Sequence, residues 1–180
     1  MIQRPDQTLI YHITDVDNLP GILAGGGLRS DAAMAQHNPA VIGYGHIKQR
    51  RMTEIRVDCC GNRFVGEFVP FYFCPRSPML YTVNRGNTGR PAGCQRTIVH
   101  LVSTLAVGSN QNRPWAISDG NAGAFRTTFS SDLAALAGLV EYLDLTQRGR
   151  LPLLRPPVRE AAGGSMQIDA ATRRNLEITQ

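Results

Sequence analysis

The chain lacks most of the signatures that would announce a function at once. Its 19 cationic side chains include a single lysine, Lys48. No GxxxxGK[ST] phosphate loop occurs, and no GxGxxG lies between a strand and a helix, which excludes the two common Gly-rich nucleotide cradles. No GxSxG elbow is present, although a Ser/His/Asp set assembled only in space stays open. The four cysteines, Cys59, Cys60, Cys74 and Cys94, have no CxxC…CxxC spacing, so no metal site is expected and the thiols are read as reduced. No apolar run reaches the length that crosses a bilayer, and "MIQRPDQTL" has no secretory core, so a cytoplasmic protein without membrane contact is expected. Charged residues make up only 18% against 42% hydrophobic ones, which excludes a disordered chain.

What is present suits a folded domain of 180 residues, alone or with a short appendage. Arginine dominates the cations, and the formal net charge is +5. Planar guanidinium forks favour phosphate recognition, and the charge permits a nucleic-acid partner, although GC-rich coding gives the same bias.

In "TLIYHITDVDNLPGIL", residues 8–14 alternate as a strand that sets Ile10, His12 and Thr14 on one face. Asp17 or Asn18 then caps a short helix with Pro20 in its first turn, and Gly25–Gly27 stop it. "HIKQRRMTEIR" reads as a helix over 46–56 with Ile47, Arg51 and Ile55 on one face, while Arg50 and Glu54 form an i,i+4 pair on another. Strands are expected near 65–73, 79–84 and 97–105, a loop at 111–125, and a helix capped near Ser130–Asp132. Residues 28–43 show no period. Strands and helices mixed without regular alternation predict an α+β fold.

His12, Thr14, the helix start at Asn18 and the cation Arg51 could hold a nucleotide, with Tyr44, Phe71, Tyr72 and Tyr81 available to stack on a flat ring. Each also has an ordinary explanation: a satisfied interior histidine, core tyrosines, a salt-bridged arginine.

"IYHITDVDNLPGIL", "YGHIKQRR", "VPFYFCPRSPMLY", "IVHLVS" and "SDGNA", in this order, resemble the DarT family, toxins that transfer ADP-ribose from NAD to a base of single-stranded DNA and are restrained by a DarG-like macrodomain antitoxin. The resemblance covers residues 8–133 or so and implies an ADP-ribosyltransferase-like fold of two small mixed sheets with NAD in the cleft. It assigns His12, Ile13 and Thr14 to NAD, with Gly21 nearby, and the segment from about Asn38 to Arg56 to an NAD-covering element with a functional arginine. For that arginine the helix face selects Arg51 over Arg50, for binding and catalysis. Asn18 and Tyr44 join the nucleotide set from their own positions. The loop "SDGNAGAFRTTF" would lie near the target, and Arg76, Asp119 and Asn121 are the DNA candidates. No metal is implied.

The family's glutamate segment, resembling RQAEFLV, has no counterpart here; Glu160 in "PVREAAGG" is the nearest candidate. The last 45 residues or so, "IDAATRRNLEI" above all, resemble part of the mismatch-repair protein MutS. The expected organisation is therefore an incomplete transferase domain over 1–133 joined to an irregular or helical, poorly integrated fragment over 134–180. The function expected is DNA ADP-ribosylation weakened by the missing glutamate. The alternatives are a nucleotide- or DNA-binding fragment without turnover and a mismatch-repair-related fragment.

Overall fold

In a computed structural model, which describes residues 5–37, 39–110, 112–136, 165–169 and 177–179, the alternating N-terminal stretch forms β1 (Leu9–Asp15). Its Ile10 is fully buried with Phe71, Leu101 and Leu105, whereas Ile13 packs with Val83 and Ile98 on a second cluster. The Asp15 carboxylate accepts from the Asp17 N–H and opens a 3₁₀ turn that leads into α1 (Leu19–Ala24), with Pro20 in its first turn. The helix predicted at 46–56 is α2 (Gly45–Thr53).

A small hairpin, β2 (Arg56–Val57) and β3 (Arg63–Phe64), follows and packs its Val57 on Val65, Phe68 and Ala116. β4 (Phe68–Tyr72) buries Val69 and Phe71. The strand expected at 79–84 is instead the helix α3 (Pro78–Asn84). Ser77 Oγ accepts the Leu80 N–H at 3.2 Å and Pro78 stands at the first helical turn, so a complete helix-start signal outweighs the apolar alternation of Met79–Val83. β5 (Ile98–Thr104) runs into the short α4 (Leu105–Ser109), capped by Thr104. The expected loop at 111–125 contains β6 (Trp115–Ser118), and β7 (Phe129–Ser130) pairs with it. Of the helix expected near 130, a 3₁₀ turn at Leu133–Leu136 is described, and its remainder lies outside the described residues.

Two strands come from the tail: β8 (Ser165–Asp169), between β4 and β6, and β9 (Glu177–Thr179), on the edge beside β5. These residues are extended and paired, not irregular or helical, because β4, β5 and β6 offer open ladders to pair with.

The strand order is β7-β6-β8-β4-β1-β5-β9. Its joints are unequal. β1 and β5 are in register from Leu9↔Thr104 to Asp15↔Ile98, while β1 and β4 meet at one pair, Tyr11↔Tyr72. Pro70 explains the gap: it has no N–H to give to β1, and its carbonyl is taken by a side chain, His12 Nδ1, at 2.8 Å. The sheet is thereby nearly divided into two halves along one seam, close to the two small sheets expected from the sequence.

Candidate functional site

A cavity of about 600 Å³ opens beside this seam, within the roughly 300–1,000 Å³ of small-molecule sites. β1 supplies His12, Ile13 and Thr14 to its wall, and the turn and α1 supply Asn18 and Gly21. Tyr44 and Arg51 face them from α2 and its N-cap. All seven residues assigned to the nucleotide thus border one space.

His12 is held from two sides. Its ring lies 5.7 Å from that of Phe71, and because a carbonyl only accepts, the contact with Pro70 O places a proton on Nδ1 and leaves Nε2 as the acceptor in the neutral ring. Burial lowers its pKa, with Arg51 adding to the effect and the Pro70 carbonyl and Asp31 opposing it.

Arg51 projects from α2 into the cavity with its side chain 15% exposed. One nitrogen, Nη1, lies 3.6 Å from Asp31, while Nε and Nη2 are buried without a partner. Two orphaned guanidinium donors beside a cavity form a ready anion site. Lys48, one turn earlier, also reaches Asp31, at 3.3 Å. Asp31, the carboxylate that balances both cations, was missed in the sequence because it lies in the stretch without a period. Tyr72 is enclosed nearby, its phenol pushed up by burial and restrained by Arg51.

Gly21 and Asn18 contribute differently. A Cβ at Gly21 would meet nothing within 4 Å, so this wall leaves room for a ligand. The Asn18 amide is engaged in bracing: Nδ2 donates to Thr14 Oγ1 and Ala40 O at 3.1 and 3.0 Å, and Oδ1 accepts the Ala40 N–H at 2.9 Å. It fastens the cavity-lining segment around Ala40 to β1.

The residues assigned to DNA are dispersed. Arg76 is exposed in the turn after β4 and does not line the cavity. Asp119 and Asn121 close their own loop: Asp119 accepts from the N–H and hydroxyl of Thr128, and Asn121 Oδ1 accepts the Gly123 N–H. Glu160 lies outside the described residues. Arg50, expected to pair with Glu54, lies over the ring of Phe125 at 5.1 Å. Among the described residues there is no group of three or more His, Cys, Asp or Glu placed to hold a metal, and no helix long and apolar enough to cross a membrane.

Residues 11–147 match the family model described as "ssDNA thymidine ADP-ribosyltransferase, DarT". A DNA ADP-ribosyl transferase of Thermus aquaticus is 40% identical over 137 residues, covering 75% of this chain and 60% of that protein. The solved structure of Thermus sp. 2.9 DarT in complex with ADP-ribosylated ssDNA superposes with a TM-score of 0.74 at 32% identity, covering 94% of this chain and 78% of the other. The same Thermus protein in complex with NAD+ gives 0.68 at 29% identity, covering 93% and 77%. A second likeness is to MutS of Cereibacter sphaeroides, 51% identical over 88 residues, which is 49% of this chain and 10% of that protein. Such a stretch does not fit outside 11–147, so the two likenesses overlap. The chain spans under two thirds of the curated transferase and a tenth of MutS.

Proposed function

This chain belongs to the DarT family, and from that premise we propose that its cavity binds NAD and that it transfers ADP-ribose to the base of a thymidine in single-stranded DNA. The observation that carries the reading is the convergence of His12 and Arg51 on one cavity, with two donors of Arg51 unpartnered. The unpartnered donors of Arg51 suit the pyrophosphate, and the flat rings suit Tyr44 and Tyr72. In the reaction the bond from ribose C1′ to nicotinamide breaks and nicotinamide leaves with the electron pair. A base nitrogen bonds to C1′ and releases its proton. Single-stranded DNA is the natural acceptor because its bases are already unpaired.

Turnover is proposed to be slow. The family's glutamate segment has no counterpart in the chain, and the register position opposite Pro70, beside the cavity, is held by Gln167. Loss of one electrostatic stabiliser of a developing charge costs on the order of a hundredfold to a thousandfold. A DarG-like macrodomain antitoxin and a cytoplasmic location complete the proposal. A second reading, a binding module without turnover, is favoured by the missing glutamate segment.

The test is incubation of the chain with NAD and single-stranded oligonucleotides, followed by mass spectrometry for an ADP-ribose adduct. A faint adduct that grows at least about tenfold in Gln167→Glu supports the reading. NAD and DNA binding with no adduct in either chain supports the binding module, and absence of NAD binding defeats both.

A further inference from the structure

Outside the cavity, Phe125 is placed in a way that packing among the described residues does not explain. Phe125 is 67% exposed, yet its loop is rigidly built. Asp119 and Asn121 accept from Thr128 and Gly123, the Thr127 hydroxyl donates to Asn121 O at 2.7 Å, and the Ser118 hydroxyl donates to Gly120 O at 2.8 Å. The loop also touches the cavity wall. A Cβ on Gly123 would lie 3.0 Å from Ile47 Cγ2 and 3.9 Å from Arg51 Cγ, and both of those side chains line the cavity. Two residues further on, the Arg50 guanidinium covers the Phe125 ring at 5.1 Å.

We infer that Phe125, with Arg50 laid over it, is a stacking platform for a base that neighbours the reacting one on a single-stranded nucleic acid. This rests on the function proposed above and adds the subsite that would hold the strand. Every base has a π-face, so an outward ring fixed by its loop and flanked by cations takes a base while Arg50 and the exposed Arg126 meet its phosphates. The surroundings disfavour an apolar protein partner. Among the described residues the other exposed large hydrophobic side chains, Leu9, Val16, Leu23, Val41 and Tyr81, belong to other elements, while Arg50 covers the ring and Arg126 follows it in the chain.

Three forms of the full chain test this: the parent, Phe125→Ala and Phe125→Trp. Each is titrated with a short single-stranded oligonucleotide by fluorescence anisotropy and with NAD by calorimetry. Phe125→Ala is expected to bind the oligonucleotide roughly tenfold more weakly with unchanged NAD affinity, while Phe125→Trp keeps the affinity and its added indole emission is quenched by single-stranded but not duplex DNA. Equal DNA binding by the parent and Phe125→Ala, or an indole unaffected by bound strand, overturns the platform and leaves the proposed function standing. A parent that binds NAD but no single-stranded DNA overturns both the platform and the DNA half of that function.

Discussion

The two flanks of β1 differ sharply. Toward β5 the ladder is continuous along the whole strand, and the carboxylate that ends β1 is fastened as well: Asp15, 1% exposed, accepts from Arg90 and from the Thr97 hydroxyl at 2.9 Å. Toward β4 one register pair and one imidazole span the gap, and there the cavity lies. One flank is built for stiffness and the other for access. The same strand serves both, so the rigid flank sets the position of His12 and Thr14 for the open one.

The largest effect is expected from breaking the rigid flank. Asp15→Ala strands Arg90 and should destabilise the fold by about 3 kcal/mol in urea unfolding, at the lower end for a buried pair because Arg90 is partly exposed. Burial pushes the Asp15 carboxyl up, but Arg90, the Asp17 N–H and Thr97 outweigh it and hold it below the usual carboxylate range. Its folded pKa is depressed, so its contribution is present above the ordinary carboxylate pKa of about 4 and is lost as pH falls through the folded value. Melting curves taken across acid pH should show that loss in the parent and not in Asp15→Ala.

On the open flank, Arg51→Ala should weaken NAD binding by about 10- to 100-fold in calorimetry while changing stability little, since Nε and Nη2 have no protein partner and Asp31, which loses Nη1, keeps Lys48. A stability loss as large as that of Asp15→Ala would erase the contrast between the flanks. Gly123→Ala sharpens it by a smaller step. The added methyl meets Ile47 at 3.0 Å, so about 1 kcal/mol of destabilisation is expected together with weaker NAD affinity as the Ile47–Arg51 wall shifts. Smallest is a pH effect from His12. Its folded pKa is lowered by burial, so the unfolded chain binds the proton more readily and stability declines as pH falls below about 6.5 toward the folded value. His12→Gln should flatten that slope.

The sequence reveals the β1–α1 unit well because its signals are local: alternation, a proline in the first turn and glycines after the last. The cap alone is displaced, since the capping carboxylate is that of Asp15 and the Asn18 side chain bonds Thr14 and Ala40 instead. Arg51 is equally legible, since α2 carries it on the face of Ile47. Arg50 is misread because its aromatic partner lies in a loop 75 positions away, beyond any helical period. α3 defies the alternation of Met79–Val83 because the Ser77–Pro78 start signal is the stronger one. Asp31 is invisible for want of a periodic setting; only the fold brings it to Lys48 and Arg51. The strand character of 165–169 and 177–179 depends on neighbours distant in sequence, and no local pattern announces it.

Pro70 has a consequence of its own. Any other residue at that position would restore an amide hydrogen facing β1, and the obvious way to satisfy it is to zip the two halves further together. Closing that seam would add a backbone bond and take away the opening, so a more perfect sheet here would be a poorer receptor. Position 70 therefore sets a trade between cohesion and vacancy through the backbone alone, with no contribution from the chemistry of its ring.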